Sequence, residues 1–129
     1  MLIKIAVFLR RRKNRGFARD ALTSAKDICM QAILGSGGAI GEPLARELSK
    51  YTNKIRLVAR NPQKVNDSDE LFPADLTNRE QVDAAVQGAS VVYLAVGLKY
   101  SLKTWQQQWP VLMQNVIDAC IRHKAKLVF

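Results

Sequence analysis

The chain has 129 residues, 48% of them apolar and 24% charged, which excludes a disordered or fibrous protein and leaves room for one buried core. Its formal charge of +9 invites a nucleic-acid reading, but residues 1–27 hold eight basic residues against two acids, leaving twelve against nine in the other 102. The excess belongs to a leader and not to a folded binding face, which argues against specific nucleic-acid recognition.

That leader opens "MLIKIAVFLRRRKNRGFARD", with the apolar run ahead of the basic residues, the reverse of a secretory signal. The run is also far short of the roughly 20 residues that cross a bilayer. Two readings stand. Residues 1–27 are either an Arg-rich targeting or interfacial segment, or a disordered or extraneous extension upstream of a start at Met30. The folding unit is residues 28–129.

Apolar "ICMQAIL" (28–34) reads as a strand. "GEPLARELSKY" (41–51) reads as a helix with Ile40, Leu44, Leu48 and Tyr51 on one face, and with Pro43 in the first turn, where a missing N–H costs nothing. "KIRLVAR" (54–60) is a second strand and "ELFPA" (70–74) a third, placed near a sheet edge by Pro73. "TNREQVDAAVQG" carries a capping box, Thr77 with Glu80, then Val82, Ala85 and Val86 on one face and Gly88 as a stop. "SVVYLAVG" (90–97) is nearly continuous in apolar residues, as in a strand buried on both faces of a parallel sheet. "TWQQQWPVLMQNVIDACIRH" is a long helix, bent or begun at Pro110, with Met113, Val116, Ile117, Cys120 and Ile121 inward, and "AKLVF" (125–129) starts a fifth strand. Strands separated by helices imply right-handed crossovers. The expected fold is an α/β Rossmann-type doubly wound parallel sheet of order 3-2-1-4-5, ending just after strand 5 begins.

"GSGGAIG" now falls between the first strand and the first helix. There a backbone without side chains can turn tightly and let a pyrophosphate approach the helix N–H groups. Gly35, Gly38 and Gly41 fit G-x-x-G-x-x-G, and Gly37 adds a close-approach position. The competing reading is a turn that merely packs tightly. At the end of the second strand, where an acid would accept from the ribose of NAD, stands Arg60, 19 residues beyond Gly41. A guanidinium suits a 2′-phosphate, so NADP is favoured over NAD, with Lys64 as a second cation.

With "DLTN" (75–78), "YLAVG" (93–97) and "QNVIDAC" (114–120), the stretch from Gln31 to Phe129 resembles the cofactor-binding part of the short-chain dehydrogenase/reductase family. Its extended or NmrA-like NAD(P)-dependent epimerase/dehydratase branch is the nearest in pattern. The resemblance implies a cofactor lined by Gly35, Ser36, Gly37, Gly38, Ala39, Ile40 and Gly41, by Asp75 and Leu76 beside the adenine, and by Ala95, Val96 and Gly97. It implies that Asn115 supports the active-site backbone; a solvated helix asparagine is the alternative. Family catalysis uses Tyr-x-x-x-Lys, which this sequence lacks. Tyr51 and Tyr100 have lysines three residues on, Lys54 and Lys103, and Tyr93 has none nearby. No catalytic residue is assigned, and the chain reads as the N-terminal piece of a longer enzyme.

Lys99, Tyr100 and Ser101 could line the mouth or form a plain surface loop. Trp105 and Trp109 read as packing anchors that could also form a homodimer face. His123 reads as a dipole-compensating residue at a helix end. Cys29 and Cys120 have no metal or redox spacing and read as core residues of a reducing, cytoplasmic protein; no metal site is expected. The expected function is an NADP-favouring domain of a short-chain-type oxidoreductase or epimerase acting on a small carbonyl or sugar-nucleotide-like substrate. The alternatives are a non-catalytic NmrA-like NADP sensor, and an anionic-surface binder acting through "RRRKNR".

Overall fold

Short β-branched runs and glycine-stopped helices alternate along the chain, and a computed structural model turns that alternation into layers. It describes residues 29–98 and 101–129; the basic leader, Ile28, Lys99 and Tyr100 lie outside the described residues. Strands β1 (Met30–Leu34), β2 (Ile55–Ala59), β3 (Glu70–Pro73), β4 (Ala89–Leu94) and β5 (Lys126–Val128) form one sheet in the order β3-β2-β1-β4-β5. Every pairing is parallel. Helices α1 (Gly41–Leu48), α2 (Arg79–Val86) and α3 (Leu102–Arg122) connect them. This is the expected doubly wound topology, with Pro73 on the edge strand β3, where its lack of an N–H is tolerated.

Alternation along the strands sorts the core into two layers. Ala32, Leu34, Val58, Val92 and Leu94 face Val82, Ala85 and Val86 of α2 and Leu112, Val116, Ala119 and Cys120 of α3. On the opposite face Ile33, Ile55, Leu57, Val91 and Tyr93 join Leu44, Ala45 and Leu48 of α1. Register aligns Ile33 with Leu57 on one side and with Tyr93 on the other. The buried Tyr93 hydroxyl donates to Gln31 Oε1 at 2.7 Å, so the central strands carry a satisfied polar pair within an apolar layer.

Arg56 staples the edge of the sheet. Its Nε donates to Glu70 Oε2 at 3.0 Å, and its Nη1 donates to the carbonyls of Ala85 and Gln87 at 2.8 and 2.9 Å. The guanidinium lies 5.3 Å from the centre of the Phe72 ring. One side chain thereby joins β2, β3 and the end of α2, where the last helix carbonyls have no intrahelical partner.

Three local expectations shift. The α1 helix stops at Leu48, short of Tyr51, and Ile40 is exposed at its N-cap instead of sharing the inward face. The capping box gives way to Asn78, whose Oδ1 accepts from the Gln81 amide at 3.1 Å, because the Thr77 hydroxyl donates to Asp75 instead. The buried stripe of α3 is Leu112, Asn115, Val116, Ala119 and Cys120, while Ile117 and Ile121 are exposed; the helix starts at Leu102 and runs through Pro110. Asn115 fixes that rotation through its hydrogen bond to the loop after β3.

Arg56→Met keeps the aliphatic stem and removes the donors. It is expected to lower the unfolding free energy by about 1–3 kcal/mol in urea denaturation. Unchanged stability would mean that water serves the Ala85 and Gln87 carbonyls equally well.

Candidate functional site

A cleft of about 420 Å³ opens at the carboxyl ends of the strands. It sits where β1 sends its connection to one face of the sheet and β4 sends its own to the other, the usual ligand position in such sheets. Gly35, Gly37 and Gly38 form its base. Ala59 and Arg60 follow β2, Ala74 to Thr77 follow β3, and Val96, Gly97 and Leu98 follow β4, with Gln108 and Leu112 of α3 closing one wall.

The glycines divide into two kinds. Gly35 has φ +87°, and a Cβ there would stand 2.6 Å from the Val96 Cα; a Cβ on Gly41 would stand 2.7 Å from the Gly35 carbonyl oxygen. The fold itself requires those two. A Cβ on Gly38 would meet only ordinary contacts at 3.6 Å, and one on Gly37 would meet nothing within 4 Å, yet both glycines line the cleft. Their missing side chains leave room in the cleft and relieve no crowding in the protein.

The helix behind the turn leaves donors unused. Ile40 occupies the N-cap and has no side-chain oxygen to offer. Gly38 N–H donates weakly to the Gly35 carbonyl and Glu42 N–H to that of Gly38. The amides of Gly37, Ala39, Ile40 and Gly41 have no hydrogen-bond partner among the described residues. Such a helix start is a ready anion site.

Beyond β3 the loop is held from several sides. The Asp75 Oδ1 accepts from the Thr77 amide at 2.9 Å and from the Thr77 hydroxyl at 2.7 Å. The Asp75 amide donates to Gln81 Oε1 at 2.7 Å, and Asn115 Nδ2 donates to the Leu76 carbonyl at 3.1 Å. The Thr77 hydroxyl, then its amide, hold the Asp75 carboxyl below the usual carboxylate range; partial burial opposes them, and the charge of Arg60 adds to them. Arg60 and Asp75 are thus opposite charges on one rim.

Of the residues singled out from sequence, Gly35, Gly37, Gly38, Arg60, Asp75, Leu76, Val96 and Gly97 line the cleft together. Ser36 is buried beneath the turn with its hydroxyl unpartnered among the described residues; Ala39 and Ile40 are exposed beside it, and Gly41 is buried at the helix start. Ala95 continues the ladder by donating to the Leu34 carbonyl at 2.8 Å. Lys64 does not reach the lining, and its ammonium donates to the Asp67 carbonyl at 3.2 Å. Asn115 is buried and engaged, so the solvated reading of it is overturned.

Ser101 is exposed at the start of α3, off the lining. Trp105 and Trp109 pack against each other as tilted rings, with centroids 4.8 Å apart and planes 36° apart. His123 caps α3 with Nε2 at 3.1 Å from Asp83 Oδ1, which also accepts from Arg122 at 2.7 Å. Burial pushes the Cys120 thiol up to about 11, an inert core cysteine. Sequence reasoning passed over Gln108, Leu112, Thr77 and the small Ala59 and Ala74. The spacing of Gln108, Leu112 and Asn115 on one helical face was the available signal. Among the described residues no cluster of His, Cys, Asp or Glu could hold a metal ion, and no helix is long and apolar enough to cross a membrane.

This sheet order, with a cleft at its switch point, defines a Rossmann-type α/β domain. The NAD(P)H-binding family model matches residues 35–128, and the chain belongs to that family. An uncharacterized oxidoreductase of Staphylococcus aureus is 32% identical over 69 residues, covering 47% of this chain and 30% of that protein. Uronate dehydrogenase from Agrobacterium tumefaciens superposes with a TM-score of 0.66 at 18% identity, over 74% of this chain and 37% of its own. A Rossmann-fold NAD(P)-binding family protein from Shigella flexneri gives 0.65 at 21% identity, over 79% and 51%. The chain therefore spans only about a third of the oxidoreductase and the dehydrogenase, and about half of the third protein.

The folded-state lowering of Asp75 sets a pH dependence. Its contribution to stability is present above the unfolded carboxyl value near 4 and is lost as pH falls through the lower folded value. Thermal unfolding between about pH 5 and pH 2 should show the wild type losing stability relative to Asp75→Asn. Parallel pH profiles would deny the carboxylate that role.

Proposed function

We propose that this domain binds NADP(H), in preference to NAD(H), and orients it for hydride transfer in a short-chain-type reductase or epimerase. The observation that carries the reading is that Gly37 and Gly38 line the cleft where the fold has no need of glycine. The pyrophosphate would lie on the Gly35 to Gly41 turn, with Ser36, Ala39, Ile40 and Gly41 supplying backbone rather than side chains. The amides of Gly37, Ala39, Ile40 and Gly41 suit its oxygens. Asp75 and Leu76 would flank the adenine, and Ala95, Val96 and Gly97 the far half of the cofactor. When bound, the nicotinamide supplies the hydride chemistry; this chain supplies position and charge.

Arg60 supports the NADP preference. It is exposed at the end of β2 and lines the cleft, where a guanidinium can fork onto a 2′-phosphate. One structural neighbour, a uronate dehydrogenase mutant, was solved with NAD, so NAD is the competitor to measure against. A small carbonyl or sugar-nucleotide-like substrate fits the family resemblance. So does a homodimer through the Trp105 and Trp109 region. The unpaired Cys29 and Cys120 suit a reducing cytoplasm. The second reading is a non-catalytic NADP sensor, in which the same cleft reports cofactor occupancy to a partner.

Calorimetric titration in matched salt should show NADPH binding at least about tenfold tighter than NADH, with Arg60→Asp reversing the order. Gly38→Val should abolish binding without unfolding the chain, because its Cβ meets only ordinary contacts. Equal affinity for the two dinucleotides would sink the Arg60 argument, and no binding of either by the folded protein would sink the cofactor reading.

A further inference from the structure

Gln108, Leu112 and Asn115 stand at i, i+4 and i+7 on α3, one stripe along one face of the helix. Asn115 is anchored to the Leu76 carbonyl, and Leu112 is buried one turn above it. One turn higher, Gln108 reaches the wall of the same cleft that holds Asp75, Leu76 and Arg60. Gln63, Gln87, Gln106, Gln107 and Gln108 carry side-chain amides with no hydrogen-bond partner among the described residues, and of these Gln108 is the one that lines the cleft.

We propose that Gln108 reads the adenine edge of the bound dinucleotide, making cofactor binding base-selective. This rests on the cofactor reading above. Leu76 and Leu112 supply apolar walls for the faces of a base, which every purine satisfies equally. Discrimination needs a donor and an acceptor at the rim. A glutamine amide carries both on one carbon, the arrangement that pairs with the amino group and ring nitrogen of adenine. A cation at this position would have suited a phosphate instead. Arg60, on the neighbouring wall after β2, takes that part, and the base attached to the same ribose falls toward the Asp75–Leu76 loop that the Gln108 stripe overlooks.

The test compares NADPH with its hypoxanthine counterpart, in which an oxo group replaces the adenine amino group, on the full chain by calorimetry. The wild type should prefer the adenine form about tenfold, and Gln108→Leu should bring the ratio near one by weakening NADPH alone. Unliganded melting should stay unchanged, since the position is exposed, and Gln108→Ala should repeat the result. If wild type binds both forms equally, or if Gln108→Leu keeps the wild-type ratio, Gln108 is not the reader and the cofactor reading stands. If wild type binds neither form, the cofactor reading falls and this inference with it.

Discussion

The tight passage of Gly35 beneath Val96 is the constraint on which the cleft depends. β1 is the central strand and pairs in parallel with both β2 and β4, so the chain must leave it without colliding with the strand end alongside. At Gly35 no Cβ fits, and the residue turns with φ +87°. The chain can then cross to one face as α1 while the exit from β4 leads to the other face as α3. The cleft is the space those two exits leave open. At Gly41 a second close contact seats the start of α1 directly on the turn that forms the base of that space.

The remaining rim is built so that little of it must reorganise. Asp75 is tied to Thr77 and Gln81, Leu76 to Asn115, and α2 is capped by Asn78. These bonds join the loop after β3 to both helices on its face of the sheet. A loop ordered in advance loses less conformational entropy when a ligand arrives. Charge is placed with the same economy. Arg60 lies across from Asp75, close enough to help keep that carboxyl ionised, so the rim carries both signs.

Much of the layering was legible in the sequence because it depends on periodicity. The continuous burial of β4 and the glycine turn between β1 and α1 both follow from patterns that short windows contain. The structure departs from expectation where a side-chain partner overrode a helical pattern. Thr77 looked like a cap, but its hydroxyl is spent on Asp75, and the cap moved to Asn78. On α3 two apolar stripes compete, and Met113, Ile117 and Ile121 look as inward as Leu112, Val116 and Ala119. The hydrogen bond from Asn115 to a loop 39 residues earlier selects between them, and no helical period encodes it. Arg56 escaped notice for a like reason, since a polar residue on a strand shows its partners only when the fold brings them near.

What the cleft contains also separates binding from chemistry. Asp75 is the carboxylate in its described lining, and that carboxylate is held ionised, well away from the near-neutral value that a general acid or base needs. Arg60 offers charge, Thr77 and Gln108 offer hydrogen bonds, and the glycines offer room. Such a set can hold an anionic, base-bearing molecule in one orientation, but it contains no group suited to moving a proton at neutral pH. A domain of this kind commits its polar residues to recognition. Any proton transfer would have to draw on groups outside this described lining.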